Sequence, residues 1–285
     1  MKNELRKAFH MAYIQGNKEK IKDILSEDLP HSLIKFCGGA YDELGNNYGL
    51  KTLKEKAVWL SSPNEFNDPF DCAINVDYER EIQEESSKAL ENLFGKEMAK
   101  QILDGADAII QEKAKEIREA LRDQDSSVAN NVFVACFSEK ENLSSLRMWA
   151  YYANYHKGFC LEYDFCEMNC AFKDGVIPIL YSDAYSKNYE CLSEEECRKF
   201  RLGCAFTKAT EWDFEKEWRI LSCDESRNGE KGYQMDFIKP SKVYLGCKCD
   251  ERLKVDLKEI CYDLNIGLYQ MRMKPETFCL ESKQI

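Results

Sequence analysis

The sequence predicts an α+β fold, in which a central mixed or antiparallel sheet of about six strands carries helices on its faces. Two observations lead to this prediction. Short apolar runs bounded by turn-forming residues recur along the chain, while other segments show helical spacing of their apolar residues. The strongly charged stretch 78–126 is helical in pattern and interrupts the apolar runs. We therefore predict a single domain over 1–285, with an N-terminal helical cap over 1–30 and a helical-hairpin insertion over 78–126.

The composition favours a globular protein, because 44% of the residues are hydrophobic and 12% are aromatic. No apolar run approaches the roughly 20 residues of a membrane-spanning helix, and no apolar segment of a signal peptide follows the charged N-terminus. We therefore expect a soluble, cytoplasmic protein with no membrane partner. The net charge of -11 argues against non-specific nucleic-acid binding, which requires a basic surface.

The 14 cysteines are scattered along the chain, and without a secretory signal they are predicted to be reduced thiols. The closest pairs, Cys247-x-Cys249 and Cys166-x-x-x-Cys170, have no second pair and no histidines at zinc-site spacing. The 3 histidines are too few for a histidine-rich metal site or for a Ser-His-Asp triad. A zinc site is therefore not expected, and no residue is assigned as a metal ligand from these spacings. No cofactor is assigned.

The N-terminal part of the chain is predicted to form short helices and strands. In order, these are helices over Asn3–Ile14 and Asn17–Leu25, a strand over Leu33–Cys37, a helix over Tyr48–Lys54 and a strand over Ala57–Ser61. Gly16 separates the first two helices, because glycine is a poor helix former and tolerates positive φ angles. The pair Gly38-Gly39 ends the first strand in the same way.

A turn follows the second strand, because the side chains of Asn67 and Asp68 bond to nearby backbone and the next residue is a proline. Two interpretations of this turn remain open. It is a rigid loop that packs Phe66 and Phe70, or it presents Asp68 and Asp71 to a ligand at the end of a strand. The second interpretation has weight because polar anchors on loops of a rigid scaffold often carry function.

The rest of the chain is predicted to contain a helical hairpin followed by further strands and helices. The hairpin covers Tyr78–Asp125 and breaks near Gly95 or Gly105. The later elements are a strand over Asn131–Ser138, a helix from Leu143 or Ser144 to Tyr155 with Ser144 as a candidate N-cap, strands over Gly158–Asp164 and Gly175–Tyr181, a helix over Ser193–Leu202, a hairpin-like loop at Arg227–Gly229, a strand over Ser241–Gly246, a helix over Asp250–Leu264 and a strand over Gly267–Met271.

The stretch Glu211–Leu221 carries the most unusual pattern in the chain. If it forms a strand, alternation places Glu215, Glu217 and Arg219 on one face and apolar residues such as Trp218 on the other. Half-buried strands seldom carry two carboxylates and a guanidinium in a row. The row therefore either lines a cleft or forms an ion-pair network.

Three blocks of sequence carry a resemblance to a known family. They are Ser62-Pro63-x-x-Phe66-Asn67-Asp68-Pro69-Phe70-Asp71, Met148-Trp149-x-x-Tyr152-Ala153-x-x-His156-x-Gly158-Phe159-Cys160-Leu161-Glu162 and Lys208-x-x-x-Trp212-x-x-Glu215-x-Glu217-x-Arg219. In this order they resemble the bacterial family named domain of unknown function 2971. Its members are mostly cytoplasmic proteins of unassigned activity, some of them encoded near anti-phage genes. The resemblance implies a role in phage defence or toxicity.

The layout of the chain is also similar to that of ADP-ribosyltransferases, which carry a late strand with Glu-x-Glu. This resemblance implies that Glu217 hydrogen-bonds the nicotinamide ribose of NAD and stabilises an oxocarbenium-like transition state, while Glu215 activates the acceptor. It also implies that Tyr152 or Trp149 stacks on a ring. Those enzymes have Arg or His in the first strand, where this chain has Lys35. The resemblance therefore assigns the phosphate contact to Lys35.

The first hypothesis for function is a transferase or glycohydrolase with NAD or another nucleotide as its substrate. It places six residues around one cleft: Glu217, Glu215, Arg219, Lys208, Asn67 and Asp68. The cleft is predicted where the turn at Asn67-Asp68 meets the Glu-x-Glu strand and the aromatic helix that begins near Met148.

Two further hypotheses belong to other classes. One is a metal-dependent nuclease, assisted by Lys208, whose magnesium is held by four carboxylates: Asp68, Asp71, Glu215 and Glu217. The other is a non-catalytic sensor or partner-binding protein, in which the Glu-x-Glu-x-Arg row pairs internally with Lys208 and Arg147. In that case the tryptophans are core residues, since large aromatic side chains dominate protein cores.

Overall fold

The computed structural model describes residues 1–73, 78–117, 119, 132–171, 175–184 and 203–285. It has an α+β fold with a mixed sheet and flanking helices, as the sequence predicts. The strands are β1 (Ser32–Cys37), β2 (Ala57–Ser61), β3 (Val132–Glu139), β4 (Phe159–Asp164), β5 (Ile177–Pro178), β6 (Leu180–Tyr181), β7 (Thr207–Lys208), β8 (Glu217–Cys223), β9 (Gly232–Asp236), β10 (Lys242–Leu245), β11 (Gly267–Met273) and β12 (Leu280–Gln284). The helices are α1 (Asn3–Ile14), α2 (Lys18–Glu27), α3 (Tyr48–Lys54), α4 (Tyr78–Phe94), α5 (Lys96–Asp104), α6 (107–117), α7 (Leu146–Tyr152), α8 (Phe165–Ala171) and α9 (Glu251–Leu264).

In the described part of the chain, the main sheet is 10-stranded. Its strands lie in the order β12-β11-β10-β4-β1-β3-β2-β9, with β8 paired to β3 and β5. The pair β10 and β11 is parallel, and the other pairs are antiparallel. Strands β6 and β7 form a separate parallel pair. The sheet is larger than predicted because the polar sequences of β9 and β12 lack an apolar run that would indicate a strand.

Strand β3 is the branch point of this sheet. One edge of β3 pairs with β8, from Val132 opposite Cys223 to Ser138 opposite Glu217. The other edge pairs with β2 at Val134 and with β1 at Ser138. Strands β1 and β2 therefore diverge along one edge of β3, and a cleft opens between them.

Apolar clusters hold the helices to the sheet. The largest cluster packs α3 and α9 against the strands, and it buries Leu53 and Leu257. A second cluster packs α1 and α2 against β5 and β6 through Phe9 and Ile24. A third packs α7 against β1 through Trp149. Burial of each large apolar side chain contributes about 1.5–3 kcal/mol, so these contacts fix the helices that border the cleft.

Several predicted elements are confirmed with the predicted bounds, including α1, α3 and β2. The predicted helical insertion is present, but its described part has three helices instead of two, because the chain breaks at both Gly95 and Gly105 and forms α4, α5 and α6. Gly95 has a φ of 80°, in the left-handed region that favours glycine. The end of the stretch 78–126 lies mostly outside the described residues, as does the predicted helix Ser193–Leu202.

The helix predicted to start at Leu143 or Ser144 is shorter than expected. Ser145 is its N-cap, since the Ser145 hydroxyl accepts a hydrogen bond from a backbone N–H of the first turn at 3.4 Å. The two residues proposed as its start belong instead to a short 3₁₀ helix. Helix α7 ends at Tyr152 because residues 154–156 all have positive φ angles and cannot continue a right-handed helix.

Two more predictions in the second half of the chain were wrong. The single strand predicted over Gly175–Tyr181 is two short strands, because β5 pairs with β8 whereas β6 pairs with β7. The loop at Arg227–Gly229 does not join a hairpin, since β8 pairs with β3 and β5 while β9 pairs with β2. The cysteines of the described ranges are free thiols. Among the helices of those ranges, none combines the length and apolar character that a membrane crossing requires.

Candidate active site

A cavity of about 390 Å³, here called the main cavity, occupies the cleft between β1 and β2. It is lined by side chains of β1, β2, β3 and α7, by the turn after β2, and by Lys208, Glu215 and Glu217. The turn that contains Asn67, the Glu-x-Glu stretch and the aromatic helix therefore meet at one place. The sequence predicts a cleft from these same three parts of the chain.

The local structure around the two glutamates differs from the predicted strand. Thr210–Glu215 forms a 3₁₀ helix, Lys216 has a left-handed φ of 47°, and β8 begins only at Glu217. Alternation holds from that point, since Trp218 is buried in the core while Arg219 turns to the other side. The two carboxyl groups still converge, since the Lys208 ammonium contacts both of them.

Five charged side chains form a buried ion cluster beside the main cavity: Asp71, Lys208, Glu215, Glu217 and Arg219. The Lys208 ammonium lies 2.6 Å from Glu215, 3.2 Å from Glu217 and 3.2 Å from Asp71. The Arg219 guanidinium donates from Nε to Glu217 at 2.7 Å and from Nη2 to Asp71 at 2.6 Å. The cluster contains three acidic and two basic groups. With all five groups charged, one negative charge therefore has no positive counterpart, which favours protonation of one carboxyl group.

The pKa values of the two glutamates in this cluster are shifted in opposite directions. Burial, reinforced by the negative charge of Glu217, raises the pKa of Glu215 to about 7. Burial acts in the same direction on Glu217, but the charges of Arg219 and Lys208 outweigh it and hold the pKa of Glu217 well below its usual range. Glu217 is therefore an anion throughout the neutral range, whereas Glu215 gains and loses a proton there.

Tyr152 completes the environment of Glu215. Its hydroxyl donates a hydrogen bond to Glu215 Oε1, while Lys208 Nζ donates to Oε2. Burial and the nearby Glu215 charge raise the pKa of Tyr152 far above its ordinary value, so the phenol stays protonated. A carboxyl group with two donors and a pKa near neutrality has the properties of a general acid or base.

Two residues that hold this arrangement were not predicted from the sequence. Asn142 Nδ2 donates to the carbonyls of Phe214 at 2.8 Å and Glu215 at 2.7 Å, and to Ser138 Oγ at 2.7 Å. The Ser138 hydroxyl also donates to the Glu215 carbonyl. Both side chains are buried and tie the end of the 3₁₀ helix to β3. The one feature of the sequence that could have indicated these two residues is that polar residues follow directly after the apolar run of β3.

Two of the predicted substrate-binding residues line the main cavity away from the ion cluster. The Lys35 ammonium donates to the Cys136 carbonyl at 3.2 Å and lies 5.4 Å from the centroid of the Phe137 ring. An ammonium has three donors, so Lys35 can also contact a ligand. Asn67 is exposed at the wall of the same cavity. Both residues can therefore reach a bound molecule without disturbing the cluster.

Other predicted residues do not face the main cavity. Asp68 accepts the backbone N–H of Phe70 at 2.9 Å and lines a neighbouring cavity of about 560 Å³. Phe70 is 62% exposed, so the turn does not pack it as predicted. Trp149 is 0% exposed and its indole N–H bonds a backbone carbonyl, so it belongs to the core and cannot stack on a ligand. Arg147 lies 3.9 Å from the centroid of the Phe214 ring and does not join the ion cluster.

The carboxylates of the ion cluster are also the candidate metal ligands of the nuclease hypothesis. Asp71, Glu215 and Glu217 converge, but each already pairs with Lys208 or Arg219. Within the described ranges, no group of three or more His, Cys, Asp or Glu has an arrangement that could hold a metal ion. The donor set therefore fits an ion-pair network better than a magnesium site.

Comparison of the chain with models of protein families, with curated proteins and with solved structures found no match. The resemblances to the family named domain of unknown function 2971 and to ADP-ribosyltransferases therefore stay predictions from the sequence.

Proposed function

We propose that this protein is a transferase or glycohydrolase that breaks the bond between nicotinamide and ribose in NAD or a related nucleotide. The observation that carries the proposal is the pair of carboxyl groups in one cavity, with the pKa of Glu215 raised to about 7 and that of Glu217 lowered. A pair of carboxyls separated in this way supplies one permanent anion and one proton acceptor. Both assist when a weak nucleophile displaces nicotinamide, which is a cationic pyridinium in the substrate and leaves the ribose as a neutral molecule.

In this proposal the glycosidic C–N bond breaks and its electron pair leaves with neutral nicotinamide. The ribose carbon becomes oxocarbenium-like, and the anionic Glu217 stabilises the developing positive charge. An acceptor hydroxyl, amine or water then attacks that carbon and gives its proton to Glu215. Tyr152 and Lys208 hold Glu215 in place through their hydrogen bonds. Lys35 contacts a phosphate oxygen at the wall of the cavity, and the resemblances suggest that the reaction serves phage defence or toxicity.

A second candidate function rests on another property of the same cluster. Each of its three carboxylates has a cationic nitrogen within 2.7 Å, so every carboxylate has a partner without any ligand. Such closed networks can serve structural specificity rather than chemistry. This favours a sensor or partner-binding protein as the alternative. The two candidates differ in whether the main cavity binds and cleaves a nucleotide.

Calorimetric titration with NAD and chromatographic detection of released nicotinamide test the proposal. The wild type is compared with Glu217→Gln, Asn67→Ala and the control Glu211→Gln, an exposed glutamate on the 3₁₀ helix that ends at Glu215. We expect Glu217→Gln to lower nicotinamide release at least about 100-fold, and Asn67→Ala to weaken binding. Glu211→Gln should behave as the wild type. Because Asn67 is exposed, its variant remains informative even if Glu217→Gln folds poorly.

The rate of nicotinamide release should rise with pH through about 7, because Glu215 must be deprotonated to accept the proton of the acceptor. Glu215→Gln should remove this dependence. If the wild type neither binds millimolar NAD nor releases nicotinamide, or if Glu217→Gln keeps the full activity and any toxicity on expression, the enzyme proposal fails. The sensor function is then favoured.

A further inference from the structure

A third cavity, here called the side cavity, adjoins the main cavity and is distinct from the cavity that Asp68 lines. It has a volume of about 450 Å³ and shares three lining residues with the main cavity: Asn67, Tyr151 and Tyr152. Its remaining wall includes Tyr155 and Trp212. The shared residues make the two cavities adjacent compartments of one larger cleft, so a single ligand with two parts can occupy both.

The two compartments differ in chemistry. The main cavity is bordered by Lys35, Lys208 and the two glutamates of the ion cluster. The side cavity has no charged side chain in its lining among the described residues, and its walls are aromatic rings with the side-chain amide of Asn154. A neutral, flat group with hydrogen-bonding edges matches such a lining, since aromatic faces stack on rings and an amide both donates and accepts.

Ring packing and backbone contacts position the aromatic residues of the side cavity. The rings of Tyr151 and Trp212 lie 6.3 Å and 5.9 Å from the ring of Phe214, measured between centroids. Tyr155 is positioned by its backbone, which has a φ of 56° and donates from its N–H to the Ala150 carbonyl at 3.2 Å. Nevertheless, Tyr151 and Tyr155 are 62% and 70% exposed. Two exposed rings beside a cavity are available to stack on a bound group.

We propose that the side cavity binds the second, uncharged heteroaromatic ring of a dinucleotide whose other half occupies the main cavity. This inference rests on the proposed function, because the main cavity must hold the reacting half of the same ligand. The contrast in charge assigns the halves: the pyridinium ribose and its phosphate lie beside the charged groups, and the neutral purine-type base lies between Tyr155 and Trp212. Tyr155 is then a specificity-determining residue for dinucleotides over mononucleotides.

The experiment measures dissociation constants by calorimetry for three probes: NAD, nicotinamide mononucleotide and adenosine monophosphate. The variants are Tyr155→Ala, Tyr155→Phe, Glu217→Gln and the control Tyr262→Ala, which removes an 87% exposed tyrosine on α9. We expect Tyr155→Ala to raise the dissociation constants of NAD and adenosine monophosphate about tenfold and to leave that of nicotinamide mononucleotide unchanged. Tyr155→Phe keeps the ring and should bind as the wild type, as should Tyr262→Ala. Glu217→Gln should weaken NAD and nicotinamide mononucleotide but spare adenosine monophosphate.

The outcomes separate this inference from the proposed function. If Tyr155→Ala binds NAD and adenosine monophosphate as tightly as the wild type, the inference is overturned, whatever Glu217→Gln does. If the wild type binds adenosine monophosphate through Tyr155 but neither binds nicotinamide mononucleotide nor cleaves NAD, the side cavity stands as a base-binding site and the proposed reaction fails. If the wild type binds none of the three probes, both are overturned.

Discussion

Glu215 and Glu217 are the same residue type, two positions apart, yet their surroundings shift their pKa values in opposite directions. Glu217 receives hydrogen bonds from both Arg219 and Lys208, whereas Glu215 is contacted by Lys208 and the neutral phenol of Tyr152. The negative charge is therefore more stable on Glu217. Once charged, Glu217 opposes ionisation of its neighbour, so the cluster binds and releases its exchangeable proton at Glu215.

This difference predicts how stability depends on pH. Folding raises the pKa of Glu215 from 4.5 to about 7, so between these values the native state keeps a proton that the unfolded state has released. The free energy of unfolding therefore falls as pH rises through this interval. Glu215→Gln removes the effect, and we expect the wild type to lose about 2–3 kcal/mol relative to this variant between pH 5 and pH 8. Urea unfolding at both pH values measures the change.

A matched control for this prediction lies in the same 3₁₀ helix. Glu211 is exposed, so Glu211→Gln should keep the pH dependence of the wild type. A constant difference in unfolding free energy between the wild type and Glu215→Gln from pH 5 to pH 8 would show that Glu215 has no raised pKa. The general-base role would then lose its physical basis.

At the scale of single elements, α7 links the sequence to the site because it carries Tyr152. Its N-cap is Ser145, whereas Ser144 is exposed and its hydroxyl donates to the carbonyl of Glu141 at 3.4 Å. We therefore expect Ser145→Ala to destabilise the protein by about 0.5–1 kcal/mol, since a backbone N–H of the first turn loses its acceptor. Ser144→Ala should change the stability by less than about 0.5 kcal/mol. Thermal or urea unfolding of the two variants compares them, and equal effects contradict the assignment of the N-cap.

The elements also show which features the sequence can predict. The bounds of α1, α3 and β2 follow from local patterns, namely helical spacing, glycine breaks and short apolar runs. The segment before β8 does not, because Trp212-Asp213-Phe214-Glu215 alternates as a strand would. Its 3₁₀ conformation depends on hydrogen bonds from Asn142, which lies 72 and 73 residues away from the two residues it contacts. No local pattern contains that information.

The candidate site was predictable to a similar degree. The sequence predicted a cleft from the unusual row of charged residues, and the main cavity does bring together four of the predicted residues: Tyr152, Lys208, Glu215 and Glu217. Ring stacking by Tyr152 or Trp149 was an implication of the resemblance to ADP-ribosyltransferases, and the helix turns the Trp149 side chain to the core. Aromatic residues at helical spacing are compatible with either face until the packing partner is known.

At the scale of the whole molecule, the cleft exists because β1 and β2 share one edge of β3 without meeting along it. Strand β1 is held in this position from its far side, where it pairs with β4, which in turn pairs with β10. The ends of these strands are locked together, since the Gly246 N–H donates to the Gly158 carbonyl at 2.8 Å. The rigidity of the cleft therefore depends on contacts of β1 with the strands on its far edge, β4 and β10.

Gly158 tests this dependence. A Cβ atom added there meets the Cys37 carbonyl oxygen at 2.1 Å and that of Gly38 at 2.7 Å, and both are backbone atoms that cannot rotate away. We expect Gly158→Ala to cost about 3 kcal/mol, because the end of β1 must move away from β4. A Cβ atom on Gly38 meets nothing within 4 Å, so Gly38→Ala should lie within about 0.5 kcal/mol of the wild type. Urea unfolding measures both variants. If Gly158→Ala unfolds at the same urea concentration as Gly38→Ala, the end of β1 is free to shift, and the width of the cleft must be set by β3 alone.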